Sequence, residues 1–335
     1  MRTALVLGAT GFVGRSVVVE LDALLGETNV ALVSTSRTGA VRAPELAGRL
    51  IHVDGWGSPE EQGSLPRADV VFDCSLPPAA SIPAVAQASA DLADRAGSRL
   101  VFLSSRAAEA GHADPATRLH TPYAWAKAEA ERRVAATLEN RVTVLRPGLV
   151  WGVGSMWSPF IFDVLDSGAL ALPAGTSPVA HVVHAASLAR TMVSGALNAA
   201  RAGGARDVID DDGLDWPGFF SSIAAGASTR LSVSTRNPSN DLKRALRVIP
   251  ARTLASRSFA KRAFTSLPSP LASRVKHALS GGPNTLSSIQ TDRHSHPFLL
   301  WEPMDDAIVC ATPPSLRANY GSWFHPLLRH EGTEQ

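Results

Sequence analysis

A tyrosine and a lysine four residues apart, in Tyr123-Ala-Trp-Ala-Lys127, are the pair in this chain best suited to moving a proton. On a helix, positions i and i+4 share a face, so both side chains can meet one small molecule. A free phenol titrates near ~10 and is a poor acid–base group at neutral pH. A neighbouring ammonium stabilises the phenolate and lowers that value. The same ammonium can donate to ribose hydroxyls, which ties the proton shuttle to a cofactor that carries a hydride. The spacing alone is also that of an amphipathic helix with a surface lysine. What distinguishes the two is a cofactor site elsewhere, and the chain begins with one. Thr3-Ala-Leu-Val-Leu-Gly-Ala-Thr-Gly-Phe-Val-Gly14 runs from β-prone apolar residues into glycines at 8, 11 and 14, and an apolar helical pattern follows. Gly8 permits a tight turn, Gly11 lets a pyrophosphate approach the backbone, and Gly14 lets helix and strand pack closely. The N–H groups around Thr10, Phe12 and Val13, at the positive end of that helix, then face the phosphates.

Several elements must position these groups. Strands are expected at 3–7, 30–33, 50–53, 69–72, 99–103 and 141–145. Helices are expected over 12–25, 82–96 and 122–138, the last opened by Thr121-Pro122. Strands alternating with helices of this length predict an α/β fold, a Rossmann-type doubly wound parallel sheet covered on both faces. Beyond residue 150 the rhythm changes to Gly, Pro and Trp around a helix near 159–168. A strand and helix over 181–200, a strand at 207–210 and a helix over 216–225 follow. The expected division is a nucleotide-binding domain over 1–150, to which 181–200 returns. A smaller substrate-covering region takes 151–180 and 201–335.

The chain has 335 residues, 45% of them hydrophobic and 19% charged, with a net charge of +2. This is ordinary globular composition and excludes a polyelectrolyte. Its two cysteines, Cys74 and Cys310, make neither a metal cluster nor a disulfide framework, so no metal is expected and a reducing cytoplasm fits. A strand from residue 3 leaves no room for a signal peptide, and no apolar run is long enough to span a membrane. Residues 230–276 carry eleven Lys or Arg and one acid, Asp241. Phe259 and Phe264 are the only aromatics among them, which argues against nucleic acid as a partner. The cations can bind an anionic substrate group or a lipid surface, or form a solvated face.

The glycine fingerprint, Ser104-Ser105 after a strand, Tyr123 and Lys127 on the next helix, and Leu145-Arg-Pro-Gly-Leu-Val-Trp-Gly152 occur in that order. In this the chain resembles the short-chain dehydrogenase/reductase superfamily, specifically its extended branch of epimerase/dehydratase-like proteins, over about residues 2–225. Val182-Val-His-Ala-Ala-Ser-Leu-Ala189 is similar to the family's His-Val-x-Asp-Leu-Ala, with His184 matching and Ser187 where an Asp is usual. The resemblance implies that Tyr123 exchanges a proton with the substrate oxygen. It implies that Lys127 lowers the Tyr123 pKa and holds the nicotinamide ribose, and that a serine at the strand end binds the substrate oxygen. Ser105 is favoured for that serine over Ser104, and a strict strand-end alignment places Arg106 there. Pro147, Gly148, Leu149 and Val150 would line the nicotinamide, Asp54 would face the adenine, and Ser75 and Leu76 would lie along the cofactor. Trp151, Met156 and Trp157 are either pocket wall or core.

After the second strand, Ser34-Thr-Ser-Arg37 carries no acid, and none follows until Glu45. Ser36 and Arg37, helped by Arg15, suit a ribose 2′-phosphate, so NADP(H) is expected over NAD(H). Dehydratases of the family follow the active Ser or Thr with an Asp-Glu pair, and Arg106-Ala107 stand here. The expected function is therefore an NADPH-dependent reductase of a ketone in a small, anionic or carrier-linked substrate. The alternatives are an epimerase or ketoreductase of a nucleotide-linked sugar, and a non-catalytic NADP-binding sensor. Relatives in the superfamily pair through the Tyr-bearing helix, so a homodimer is an open expectation.

Overall fold

The structure is a computed structural model and describes residues 1–34, 43–53, 62–112, 121–152, 154–155, 169–173, 179–197, 204–210, 214–226, 232–236 and 308–310. Ser36, Arg37, Asp54, Met156, Trp157, the expected helix near 159–168 and most of the basic segment lie outside the described residues.

Eight strands form one sheet. In chain order they are β1 (Ala4–Leu7), β2 (Val30–Ser34), β3 (Leu50–His52), β4 (Val70–Asp73), β5 (Arg99–Leu103), β6 (Val142–Pro147), β10 (Ala205–Asp210) and β12 (Ile308–Cys310). Their spatial order is β12-β10-β6-β5-β4-β1-β2-β3, and all pairs are parallel. Order reverses at β1, where β2 lies on one side and β4 on the other, which is where such sheets open a ligand crevice. A short pair, β7 (Leu149–Trp151) with β9 (Val182–His184), straps the end of β6, and β8 (Ala169–Pro173) pairs with β11 (Ser232–Arg236). The expected boundary at 150 put 205–210 in the substrate-covering region. Strand β10 instead hydrogen-bonds to β6 and extends the main sheet.

The two faces follow from strand alternation. Ala4, Val6, Val30, Leu32 and Phe72 point to one side, where α1 (Phe12–Leu25) and α5 (Ala185–Leu197) cover them. Leu5, Leu7, Val33, Val71, Leu100 and Phe102 point to the other, under α2 (Ile82–Ala96) and α4 (Pro122–Leu138). Between β5 and α4 a short helix, α3 (Ala107–His112), packs on α4.

Local chemistry sets the helix ends. Helix α2 stops at Gly97, whose left-handed φ of 65° returns its N–H to Ala93 and Asp94. Helix α4 starts where the Thr121 hydroxyl accepts the Ala124 N–H at 3.0 Å, with Pro122 at its first position. That cap sets the phase of the helix and so fixes where Tyr123 and Lys127 point. Beyond the sheet, α6 (Trp216–Gly226) presents Phe219 to Trp151 with ring centroids 5.9 Å apart. Trp151 is fully buried, also meets the His184 ring at 4.6 Å, and donates to Asp210 Oδ2 at 3.2 Å. Of its two expected places, Trp151 occupies the core.

Candidate active site

The glycine turn between β1 and α1 has the shape a pyrophosphate needs. Gly8 holds φ at 74°, and a Cβ there would meet Cys74 O and Ser75 N at 2.9 Å, so the turn lies against the end of β4. A Cβ on Gly14 would stand 2.1 Å from Gly8 O, which leaves only glycine able to pack α1 so close. The Gly11 N-cap makes no side-chain hydrogen bond, and no acid occupies the first turn of α1. The positive end of α1 therefore has no anion of its own, and Thr10, Phe12 and Val13 stay partly exposed beside it. These residues fit a dinucleotide phosphate.

At the neighbouring strand ends the proton-handling groups converge. Ser105 follows β5 and hydrogen-bonds to Tyr123 on α4. Its Oγ also accepts the Ala107 N–H at 3.2 Å, which leaves its own proton for the phenol oxygen. Ser104 turns away and donates to Glu131 Oε1 at 2.5 Å. Arg106 is buried in an ion pair with Asp207 of β10 and reaches Glu109 at 3.1 Å. Its guanidinium is thus committed to β10, and the strict strand-end alignment that put Arg106 beside the substrate oxygen is corrected.

Lys127 is buried one helical turn beyond Tyr123. Its Nζ donates to Leu103 O at 2.8 Å and lies 5.3 Å from the centre of the Phe102 ring. Burial pulls its pKa down to about 8, against the opposing charges of Asp73, Glu131 and Cys74. Tyr123 departs from the expected direction. Burial raises its pKa, and the force opposing that rise is the Ser105 hydrogen bond, while Lys127 spends a donor on the backbone. Burial thus favours the protonated phenol.

Pro147 ends β6, and its carbonyl accepts the Arg106 N–H at 2.9 Å. Gly148 passes so close to His181 that a Cβ would lie 2.1 Å from its carbonyl oxygen. Leu149 N donates to that same oxygen at 2.7 Å, and Leu149 is buried while Val150 is partly exposed. Phe12 faces Gly152 across this strap, 3.5 Å from where a Cβ would stand. Ser75 donates its N–H and Oγ to Asp73 Oδ1 at 2.9 and 2.5 Å, and Leu76 projects into solvent. Arg15 pairs with Glu45 at 2.7 Å. The structure therefore brings together the glycine turn, Ser75, Ser105, Tyr123, Lys127 and 147–150.

Sequence reasoning missed Asp73, Glu131, Arg146 and Asp210. Glu131 receives Arg146 Nε and Nη2 at 2.8 and 2.6 Å and meets His112 Nε2 at 3.0 Å. One signal was available: Glu131 sits four residues after Lys127, on the same helical face. Asp210 Oδ2 accepts the His184 N–H at 2.9 Å, so a carboxylate from β10 supports the segment in which Ser187 replaces the usual Asp.

Residues 4–199 match the NAD dependent epimerase/dehydratase family. The chain belongs to that family. It is an NAD(P)-dependent enzyme of the short-chain dehydrogenase/reductase type. Among solved structures, MoeE5 in complex with UDP-glucose and NAD is 21% identical, with a TM-score of 0.52 over 70% of this chain and 85% of its own. UDP-glucuronic acid 4-epimerase from Bacillus cereus, in complex with NAD, is 15% identical, with a TM-score of 0.53 over 70% and 85%. A dTDP-4-dehydrorhamnose reductase from Clostridium acetobutylicum is 15% identical, with a TM-score of 0.52 over 70% and 84%. At these identities the likeness is one of fold. No curated protein matches the sequence. Among the described residues of this family member, no helix is long and apolar enough to cross a membrane, and no cluster of His, Cys, Asp or Glu could hold a metal.

Proposed function

We propose that the chain is an NADPH-dependent reductase that delivers a hydride to the ketone carbon of a small substrate, with Tyr123 giving the proton. The observation that carries this reading is the Ser105–Tyr123 hydrogen bond, with Lys127 fixed one turn along the same helix. A bound nicotinamide supplies the hydride. Tyr123 then transfers its phenolic proton to the developing alkoxide, and Ser105 hydrogen-bonds the same oxygen as charge builds there. The Lys127 ammonium, close by in a dry pocket, favours the phenolate left behind. Arg37 and Ser36 are the proposed partners of the 2′-phosphate, and Asp54 of the adenine. Pro147, Gly148, Leu149 and Val150 are proposed to line the nicotinamide, and Ser75 and Leu76 to lie along the cofactor. The proposed compartment is the cytoplasm, with small molecules as partners.

A second reading has its own support. Glu45 draws Arg15 into an ion pair, which removes one cation from a 2′-phosphate. Two of the similar folds, MoeE5 with UDP-glucose and the UDP-glucuronic acid 4-epimerase, are complexes with NAD. On that reading the chain is an epimerase or ketoreductase of a nucleotide-linked sugar with a retained NAD. Dehydration is disfavoured, because Arg106 and Ala107 follow Ser105 and the Arg106 side chain is locked to Asp207.

The test is Tyr123→Phe in a screen of ketones and nucleotide-linked sugars against both reduced cofactors. Turnover lost with cofactor binding intact supports catalysis by Tyr123. Unchanged turnover removes it from the mechanism, and binding with no turnover in the wild type favours the sensor.

A further inference from the structure

Lys127 is an ammonium in a place where an ammonium is costly. It is 3% exposed, the Phe102 ring flanks it, and Leu103 O takes one of its three donors. Such a charge persists only beside a countercharge. Two carboxylates act on it: Glu131, four residues along its own helix, and Asp73 at the end of β4, whose register partner on β5 is Phe102, the residue whose ring flanks the ammonium. Glu131 is already neutralised, since Arg146 holds both its oxygens and Ser104 and His112 add to them.

Asp73 is differently placed. It is 1% exposed, with Oδ1 occupied by the N–H and hydroxyl of Ser75. Ser89 of α2 also steadies the carboxyl. Oδ2 is buried without a hydrogen bond, and Lys127 is the cation whose charge favours the carboxylate. Resting on the enzymatic reading above, we propose that Asp73 is the buried countercharge of Lys127, a positioning residue that keeps the ammonium charged beside Tyr123 and the cofactor ribose.

The groups around Lys127 define what titrates. Tyr123 and Glu131 share its helix, and β4 brings Asp73 and Cys74, whose thiol burial keeps protonated. Strand β5 contributes the Leu103 carbonyl and the Phe102 ring, which carry no titrating proton. Burial opposes both charges of the pair: it pushes Asp73 up and draws Lys127 down to about 8. Each charge opposes the loss of the other, so removing Asp73 must make Lys127 easier to deprotonate. The pairing also links two parts of the site. Cys74 O and Ser75 N, the next groups along, are the ones against which Gly8 is packed.

The test needs no substrate. Full-length protein is labelled with 13C at lysine Cε, and the Lys127 resonance, assigned by its loss in Lys127→Met, is followed with pH. The expected midpoint is about 8 in the wild type. In Asp73→Asn it falls by about one pH unit, a tenfold loss of proton affinity. Ser75→Ala removes the hydroxyl hydrogen bond to Oδ1 and keeps the carboxyl. It moves the midpoint the same way by less, and it carries the test should Asp73→Asn not fold. An unchanged or raised midpoint in folded Asp73→Asn, or in Ser75→Ala if that variant stands alone, overturns the proposal. A lowered midpoint in a protein that reduces no ketone keeps Asp73 and refutes the reductase. Ketone reduction with an unmoved midpoint does the opposite.

Discussion

Glu131→Gln is the substitution whose consequence the structure specifies most closely. Glu131 is 5% exposed and binds Arg146 through two hydrogen bonds of 2.8 and 2.6 Å, with Ser104 at 2.5 Å and His112 at 3.0 Å. Glutamine keeps the shape but removes the charge and turns an amide NH₂ toward groups that themselves donate. Arg146, itself mostly buried, is left without its countercharge. Breaking one half of a buried pair costs about 3–5 kcal/mol, and the partial exposure of Arg146 argues for the lower end. At about 2–4 °C per kcal/mol, a loss of about 3 kcal/mol lowers Tm by roughly 6–12 °C. Thermal unfolding followed by circular dichroism near neutral pH reads this directly.

The sign of its pH dependence is also determined. Burial pushes the Glu131 carboxyl up, but the hydrogen bonds and charge of Arg146, with Ser104 and His112, outweigh that and hold it below the ordinary range. Its contribution is present above the unfolded carboxyl range and is lost as pH falls through the folded value. The gap between wild type and Glu131→Gln must therefore close in acid. Arg146→Met, and the double variant, complete the cycle, and the double variant should lose less than the sum of the singles. A Tm within about 1 °C of wild type near neutral pH, or a gap that widens in acid, refutes the reasoning.

Gly14→Ala forces a Cβ to 2.1 Å from Gly8 O, backbone against backbone, so α1 must leave β1. Overpacking of about 1–3 kcal/mol should weaken reduced-cofactor binding about ten- to a hundredfold, read by fluorescence titration. Wild-type affinity would show that the turn absorbs the methyl. Burial, with the charge of Arg190, pulls the His184 pKa down to about 4. The unfolded chain takes up that proton first, so stability is full above ~6.5 and falls as pH drops toward about 4, by on the order of 3 kcal/mol. Tm against pH should slope less over that window in His184→Gln, and equal slopes would discount His184. Tyr123→Phe should cost about 10²–10⁴ in turnover with cofactor affinity unchanged, and a proportional loss of binding would mark the phenol as structural.

Much of the scaffold was legible because local chemistry announces it. The helices over 12–25, 82–96 and 122–138 begin and end where glycine, proline and Thr121 place them. Strand alternation shows which of Leu5 and Val6 faces which helices only once the sheet order is known. Strands β7 and β12 have three residues each, too few to show a period, and β12 joins the sheet nearly a hundred residues after β10. The Ser105–Tyr123–Lys127 set carried a spacing signal, although Ser104 and Ser105 became distinguishable only when Ser104 turned to Glu131. The charged partners were illegible for a common reason. Arg106 with Asp207 and Arg146 with Glu131 pair across elements, and in sequence each reads as an isolated charge. The same holds for Trp151, whose core position depends on Phe219 and Asp210 from later elements.

The central claim, a pool-exchanging reductase specific for NADPH, is tested most directly by titrating the purified protein with NADPH and NADH, with Arg37→Ala as the control. The account predicts tight NADPH binding, much weaker NADH binding, and a preference abolished in Arg37→Ala. Preference for NADH, or NAD that co-purifies and does not exchange, would contradict it and turn the search to nucleotide-linked sugars.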